Sequence, residues 1–238
     1  MLFLDSIRNL IERTTPRAVY IGAANGDKPE YYGIFEAAMD GIGITERKMI
    51  RTSLTAEDRR LAGDADIILL AGGDFARGWK AIKAAGLNDL IARSYLEGSI
   101  LIGVSAGAMH LGLGGFASDD EAGEEDDVSQ KTSESTASHG AEDGANDLVD
   151  CLGLAPFLVG AHDEKNEWES LKHSVSRMGG LSLGLGIPSG GGAAYHADGS
   201  LEPLRLPVVE ISQRGGQPVE RLLFPGAPSQ VIESDTVN

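Results

Sequence analysis

Gly103-Val104-Ser105-Ala106-Gly107 carries the strongest fold signal in this sequence, because of the segments on either side of it. The preceding Ser99–Ile102 is an apolar run typical of a buried parallel strand, and Ala108–Leu113 can begin a helix. A serine with a glycine two positions away on each side, at a strand-to-helix turn, is the nucleophile-elbow pattern. We expect the Ser105 hydroxyl to project at the carboxyl end of the sheet. The Ala106 amide would then point at a developing oxyanion.

A second glycine turn supports this interpretation, which the motif alone would not carry in a chain with 32 glycines. The apolar run Ala65–Ala71 is typical of another parallel strand, and it ends in Gly72-Gly73-Asp74. The Gly73 amide could be the second oxyanion donor. The alternative is a tight turn in which Asp74 caps the helix predicted over Phe75–Ala85. The two interpretations are compatible, because the glycines can turn the chain and still donate amides.

Composition predicts one α/β domain over residues 1–238. Hydrophobic residues make up 42% and charged residues 24%, and no run of eighteen apolar residues predicts a membrane span. The amino terminus lacks the pattern of a secretory signal, and the single Cys151 fits a reducing cytoplasm. We expect Cys151 to be a core residue and the protein to need neither a metal nor a cofactor.

The negative charge of the chain excludes a typical nucleic-acid-binding protein. The net charge is −16, whereas phosphate binding requires clustered Lys and Arg. Residues 117–147 contain eleven acidic residues against one base, Lys131, and almost no apolar ones. We expect a disordered or mobile surface insertion there. Metal binding by its Asp and Glu pairs is the alternative, but their spacing matches no calcium loop.

Alternating strand and helix patterns predict an α/β fold with a three-layer, mainly parallel sheet flanked by helices. Beyond the insertion, strands are predicted at 158–161 and 183–187, with a helix over 167–178 between them. Residues 193–196 and 201–206, separated by Ala-Asp-Gly-Ser, predict a carboxyl-terminal hairpin.

Through the Ser105 turn and the Gly72-Gly73-Asp74 turn, the chain resembles the serine peptidase family of dipeptidase E and cyanophycinase, which has a class I glutamine amidotransferase-like fold. The resemblance covers residues 17–206 without the insertion. The Ser105 block is its most specific part. The matching segments are Ala71–Asp74, Ile102–Ala108, Gly153–Pro156, Ala161-His162 and Leu183–Ile187.

The resemblance implies that Ser105 is the nucleophile and His162 its general base, since a serine hydroxyl attacks well only when an imidazole removes its proton. It also implies that Gly73 and Ala106 supply the oxyanion amides. Asp74 and Arg77 are predicted to bind substrate, with Arg77 pairing with a substrate carboxylate. The alternative for His162 is a histidine with no catalytic role. The alternative for Arg77 is an ordinary exposed arginine on a helix.

The sequence departs from the family pattern where the acid that orients the histidine is expected. Pro188-Ser189-Gly190 follows the strand at Leu183–Ile187, with no carboxylate. The residues that could replace this acid are Ser189, Asp163 and Asp198. A triad that lacks its acid loses several orders of magnitude in rate. The segment after His162 also lacks the usual aromatic residue and arginines. The chain begins with a helix rather than a strand, and the acidic insertion separates nucleophile from base.

Two functional hypotheses follow. The first is a serine hydrolase that cleaves a small peptide or isopeptide substrate, with a bond next to an acidic residue as one option. The second is a catalytically inactive relative that binds a small ligand or acts as a regulatory domain. An esterase or an amidotransferase-like protein remains a further alternative, whereas a glutaminase of the usual type is disfavoured because the elbow carries serine in place of cysteine. No nucleic-acid or membrane partner is expected, and the sequence permits a homodimer.

Overall fold

The computed structural model describes residues 2–116, 148–179, 182–226 and 230–231. The predicted acidic insertion at 117–147 lies outside these ranges. The helices are α1 (Leu2–Asn9), α2 (Pro29–Gly41), α3 (Ala56–Gly63), α4 (Phe75–Ala85), α5 (Leu87–Leu96), α6 (Ala106–Leu111) and α7 (Glu169–Arg177). The strands are β1 (Arg17–Ile21), β2 (Glu46–Ile50), β3 (Ile67–Leu70), β4 (Ile100–Gly103), β5 (Gly114–Phe116), β6 (Leu148–Asp150), β7 (Phe157–Ala161), β8 (Leu183–Ile187), β9 (Gly192–Tyr195), β10 (Ser200–Leu204), β11 (Val208–Arg214), β12 (Gln217–Leu223) and β13 (Gln230–Val231).

The predicted nucleophile follows a four-stranded parallel sheet of order β2-β1-β3-β4. Its central strands β1 and β3 are buried on both faces, and their side chains divide between two clusters. In β1, Ala18 and Tyr20 pack with α1 and α2, whereas Val19 and Ile21 pack with α3, α4 and α5. This alternation follows from the two-residue period of a strand and gives three layers.

A second sheet of order β12-β11-β8-β7 carries the predicted general base. In it β7 and β8 are parallel, while β11 is antiparallel to both β8 and β12. The predicted hairpin is confirmed as β9 and β10, which pair antiparallel with Leu201 opposite Tyr195. The hairpin of β11 and β12 was not predicted, although Gly215 and Gly216 form its turn with φ of 58° and 79°.

The predicted fold class is confirmed: the chain is an α/β protein with a mainly parallel sheet flanked by helices, together with antiparallel strands. None of the helices in the described ranges is long and apolar enough to cross a membrane. The organisation of residues 1–238 as one domain stays a prediction.

Helix α3 begins with a complete capping box. The Asp58 N–H donates to Thr55 Oγ1 at 3.1 Å, and the Thr55 N–H donates to Asp58 Oδ2 at 3.0 Å. Lys48 Nζ lies 3.0 Å from the other carboxylate oxygen. The backbone hydrogen bond from Thr55, together with its hydroxyl and Lys48, lowers the pKa of Asp58. The charged carboxylate therefore stabilises the helix that covers β3.

We predict that Asp58→Asn lowers the free energy of unfolding by about 1 kcal/mol at pH 7, because the cap loses its charge. The pKa of Asp58 is lower in the folded protein, so this stabilisation exists above the unfolded-state pKa of about 4 and disappears as the pH falls through the folded-state value. Urea unfolding should therefore show a smaller difference in the free energy of unfolding between the unaltered protein and Asp58→Asn near pH 2 than at pH 7. Glu57→Gln, at an exposed site one residue earlier, is the control. A pH-independent difference would contradict the prediction.

Candidate active site

Ser105 stands at the turn between β4 and α6 in a conformation that non-glycine residues rarely adopt, with φ 51° and ψ −118°. Hydrogen bonds on both sides hold this turn. The Val104 N–H donates to the Leu70 carbonyl at 3.0 Å, and the Ala108 N–H donates to the Ser105 carbonyl at 2.8 Å. Residues in such strained regions cost about 1–3 kcal/mol and persist only where the surroundings enforce them. The predicted elbow is therefore present, and the strained residue is the serine itself.

The two motif glycines are required for space rather than for a positive φ. A Cβ on Gly107 would lie 2.1 Å from the Leu70 carbonyl oxygen, and one on Gly103 would lie 2.5 Å from the Cα of Ala108. The first turn of α6 therefore packs directly on the backbone of β3, and the end of β4 packs on that same turn. A side chain at either position would push helix and strand apart.

The Gly72-Gly73 turn lies against the elbow. A Cβ on Gly72 would be 3.1 Å from the Ser105 Cβ, so the two turns are in contact. Gly73 has φ 144°, and a Cβ there would lie 2.2 Å from the Ala24 carbonyl oxygen. In the described part of the chain, neither the Gly73 nor the Ala106 N–H has a hydrogen-bond acceptor. The two amides assigned to the oxyanion hole are thus free to bind a ligand.

Asp74 and Arg77, the predicted substrate-binding residues, have structural partners. The Arg77 N–H donates to Asp74 Oδ1 at 2.7 Å, so Asp74 caps α4 as the alternative interpretation held. The Arg77 guanidinium donates from Nη2 to the Ala24 carbonyl at 3.2 Å. Both residues therefore fix the loop beside Gly73. Their role in substrate binding stays a prediction.

His162 follows β7 directly and is exposed, with φ 63°. Its backbone N–H donates to the Ile187 carbonyl at 3.2 Å, which ties it to the end of β8. The ring Nδ1 lies 3.3 Å from Ser189 Oγ. Of the three substitutes that the sequence left open, Ser189 is the one that contacts the imidazole. Asp163 instead binds the Asn166 side chain at 2.9 Å, and Asp198 binds the Ser200 N–H at 2.9 Å.

Glu164, which sequence reasoning missed, supplies a carboxylate behind Ser189. Its Oε1 accepts the Ser189 N–H at 3.1 Å, while its Oε2 is buried without a hydrogen-bond partner among the described residues. The pKa of Glu164 is lowered chiefly by hydrogen bonding from the Ser189 side chain, with the nearby His162 acting in the same direction. The imidazole, the hydroxyl and the carboxylate therefore form one polar cluster. A glutamate two residues after the predicted base was the available signal.

Ser105 and His162 belong to elements that pack together. Helix α6 packs against β7, and just beyond its end the Leu113 N–H donates to the carbonyl of Phe157, the first residue of β7, at 3.0 Å. The two elements therefore run in opposite directions, which puts Ser105 and His162 at the same end of the pair. No hydrogen bond joins the Ser105 hydroxyl to the His162 ring within the described ranges.

His110, His196 and Cys151 show no comparable arrangement. His110 is buried, stacks on the Phe75 ring and bonds the Phe75 carbonyl through Nε2 at 2.9 Å, so it packs in the core, and burial lowers its pKa. His196 pairs with Glu202 at 3.2 Å. Burial raises the pKa of the Cys151 thiol to about 12, which keeps it protonated and fits the predicted core role. Within the described ranges, no group of His, Cys, Asp and Glu side chains is arranged to hold a metal ion.

Comparison with known proteins agrees with this geometry. The family model for peptidase family S51 matches residues 2–190. A peptidase from an acI-B1 actinobacterium is similar in structure, with a TM-score of 0.65 at 17% identity over 97% of this chain and 90% of that one. A putative peptidase E from Listeria monocytogenes EGD-e has a TM-score of 0.50 at 15% identity over 93% of this chain and 95% of that one. No curated protein sequence matches the chain.

We predict that Gly107→Ala destabilises the protein by about 3 kcal/mol or more, because the new methyl overlaps the Leu70 carbonyl. Gly33→Ala is the matched control, since Gly33 lies in α2 with no atom near the position of a Cβ. The control should raise stability by about 0.5–1 kcal/mol. Urea unfolding followed by circular dichroism measures both effects. Equal stabilities for the two variants would show that the elbow does not depend on this contact.

Proposed function

Because the chain belongs to peptidase family S51, we propose that it is a serine peptidase that hydrolyses a peptide or isopeptide bond through an acyl-enzyme on Ser105. The observation that carries this proposal is the strained Ser105 conformation beside the free Gly73 and Ala106 amides. A serine in a strained turn, with unbonded N–H groups in that turn and in the turn it contacts, suits attack on a carbonyl carbon.

The first half of the reaction begins with a bond between Ser105 Oγ and the substrate carbonyl carbon, while the hydroxyl proton passes to His162 Nε2. The carbonyl oxygen becomes an oxyanion that accepts hydrogen bonds from Gly73 and Ala106. When the carbon–nitrogen bond breaks, the imidazolium returns its proton to the departing amine. Water then attacks the acyl-enzyme by the same route and releases the acid.

Ser189 and Glu164 position the His162 imidazole for proton transfer. In this proposal the His162 Nδ1–H donates to Ser189 Oγ, and the Ser189 hydroxyl donates to the Glu164 carboxylate. The 3.3 Å contact between His162 Nδ1 and Ser189 Oγ supports the first link. The hydrogen bond from the Ser189 N–H to Glu164 Oε1 at 3.1 Å, together with the lowered pKa of Glu164, supports the second. With its proton on Nδ1, the ring presents Nε2 as the acceptor for the nucleophile. The carboxylate stabilises the imidazolium through an intervening hydroxyl.

We predict that a fluorophosphonate labels Ser105 covalently and that Ser105→Ala abolishes labelling and lowers kcat by about 10⁴-fold or more. Mass spectrometry of the modified peptide and a peptide-hydrolysis assay measure the two effects. Ser53→Ala, at an exposed serine away from the site, should be labelled as fast as the unaltered protein. An unlabelled unaltered protein that still binds a small ligand would favour the inactive-relative hypothesis.

We predict that Glu164→Gln lowers kcat by about 10- to 100-fold with little change in KM, because the transient imidazolium loses its negative partner. Removing that charge removes an interaction that favours the protonated imidazole, so the acid limb of the rate profile should move to lower pH. Glu167→Gln on the same loop, at an exposed side chain, is the control for a general effect of charge. A reduced rate with an unmoved acid limb would indicate a structural role alone.

A further inference from the structure

A pocket of about 350 Å³ opens next to the elbow, between α2 and the carboxyl ends of β1, β3 and β4. Three of its lining residues, Gly72, Gly73 and Val104, belong to the two turns that surround Ser105. The volume lies at the small end of the range for ligand pockets, about 300–1,000 Å³, and suits one bulky side chain. Helix α2 supplies most of the outer wall, through Tyr31, Ile34, Phe35 and Ala38.

The wall of this apolar pocket offers no charge to a substrate. No Lys, Arg or His lines it in the described part of the chain. Three of its side chains are polar. Tyr20 and Asn25 bond each other at 2.8 Å, and Asn25 Oδ1 also accepts the Lys28 N–H at 3.3 Å. The third, Tyr31, is 49% exposed. Burial raises the pKa of Tyr20, so the phenol stays neutral. A carboxylate placed here would lose its hydration and gain no cation.

The pocket is also close enough to Ser105 to contact a bound substrate. A Cβ on Gly72 would lie 3.1 Å from both the Ser105 Cβ and the Val104 carbonyl oxygen, so the pocket wall and the nucleophile turn touch. A carbonyl held by the Gly73 and Ala106 amides would therefore have this pocket beside it. The Arg77 guanidinium, predicted to meet an acidic substrate, is bonded to the Ala24 carbonyl and is not part of the lining.

We propose that the apolar pocket receives the side chain of the residue whose carbonyl Ser105 attacks, and that it selects a large apolar side chain such as that of leucine, methionine or phenylalanine. This inference rests on the proposed function, because it assumes a substrate carbonyl at the elbow. An apolar preference would replace the hypothesis from the sequence that the enzyme cleaves a bond next to an acidic residue.

The test measures covalent labelling of Ser105 by diphenyl phosphonates that carry a leucine, phenylalanine, glycine or aspartate side chain on the carbon next to phosphorus. Rates are followed by mass spectrometry, so that turnover of a peptide is not required. We expect the leucine and phenylalanine probes to react about 10-fold or more faster than the aspartate probe. An aspartate probe that reacts as fast or faster overturns the inference.

A substitution that fills the pocket distinguishes binding there from general reactivity. Ala38→Phe should slow labelling by the phenylalanine probe about 10-fold and change the glycine probe by less than about twofold. Ala37→Phe is the matched control, because Ala37 is its exposed neighbour on α2 and does not line the pocket. Equal effects of the two substitutions would overturn the inference.

A second variant keeps the test valid if Ala38→Phe does not fold. Ile34 is 68% exposed, so Ile34→Asp should fold and place a carboxylate at the mouth of the pocket. It should reduce the advantage of the leucine probe over the glycine probe, and an unchanged advantage would contradict the proposal. Failure of every phosphonate and of the fluorophosphonate would instead refute the proposed function itself. Fluorophosphonate labelling without an apolar preference refutes only the pocket assignment.

Discussion

The contact between the first turn of α6 and the backbone of β3 is the constraint on which the rest of the site depends. Gly107 allows the helix to approach the Leu70 carbonyl so closely that no other residue fits. That same carbonyl accepts the Val104 N–H at 3.0 Å, so one backbone group holds both sides of the elbow. The strain at Ser105, about 1–3 kcal/mol for such a conformation, is offset by this packing.

The site combines contributions from two sheets that differ in character. The parallel sheet supplies rigid backbone groups, because the Gly72-Gly73 turn and the elbow follow neighbouring strands and contact each other. The second sheet supplies polar side chains, since His162 and Ser189 lie just after the neighbouring strands β7 and β8. Packing of α6 against β7 is what brings these two halves to one end of the molecule.

Sequence reasoning predicted the elements whose signal is local. Helix α4 and strand β8 have the predicted bounds, since each is an apolar pattern delimited by glycine or proline. Glu164 was missed because its position depends on a loop in which His162, Glu167 and Trp168 adopt left-handed conformations. Non-glycine residues rarely adopt this conformation, so the sequence gives no signal for it. The apolar pocket was missed because its walls come from segments distant along the chain.

His162 and Glu164 are only two positions apart in the sequence, which affects how they respond when the strands slide past each other. In a triad whose acid follows another strand, any sliding of the two strands would separate the acid from the base. Here both groups belong to one loop, and the His162 N–H anchors that loop to Ile187. Ser189, which contacts both groups, follows β8 instead, so this anchor between β7 and β8 is what keeps the three residues together when the two strands move.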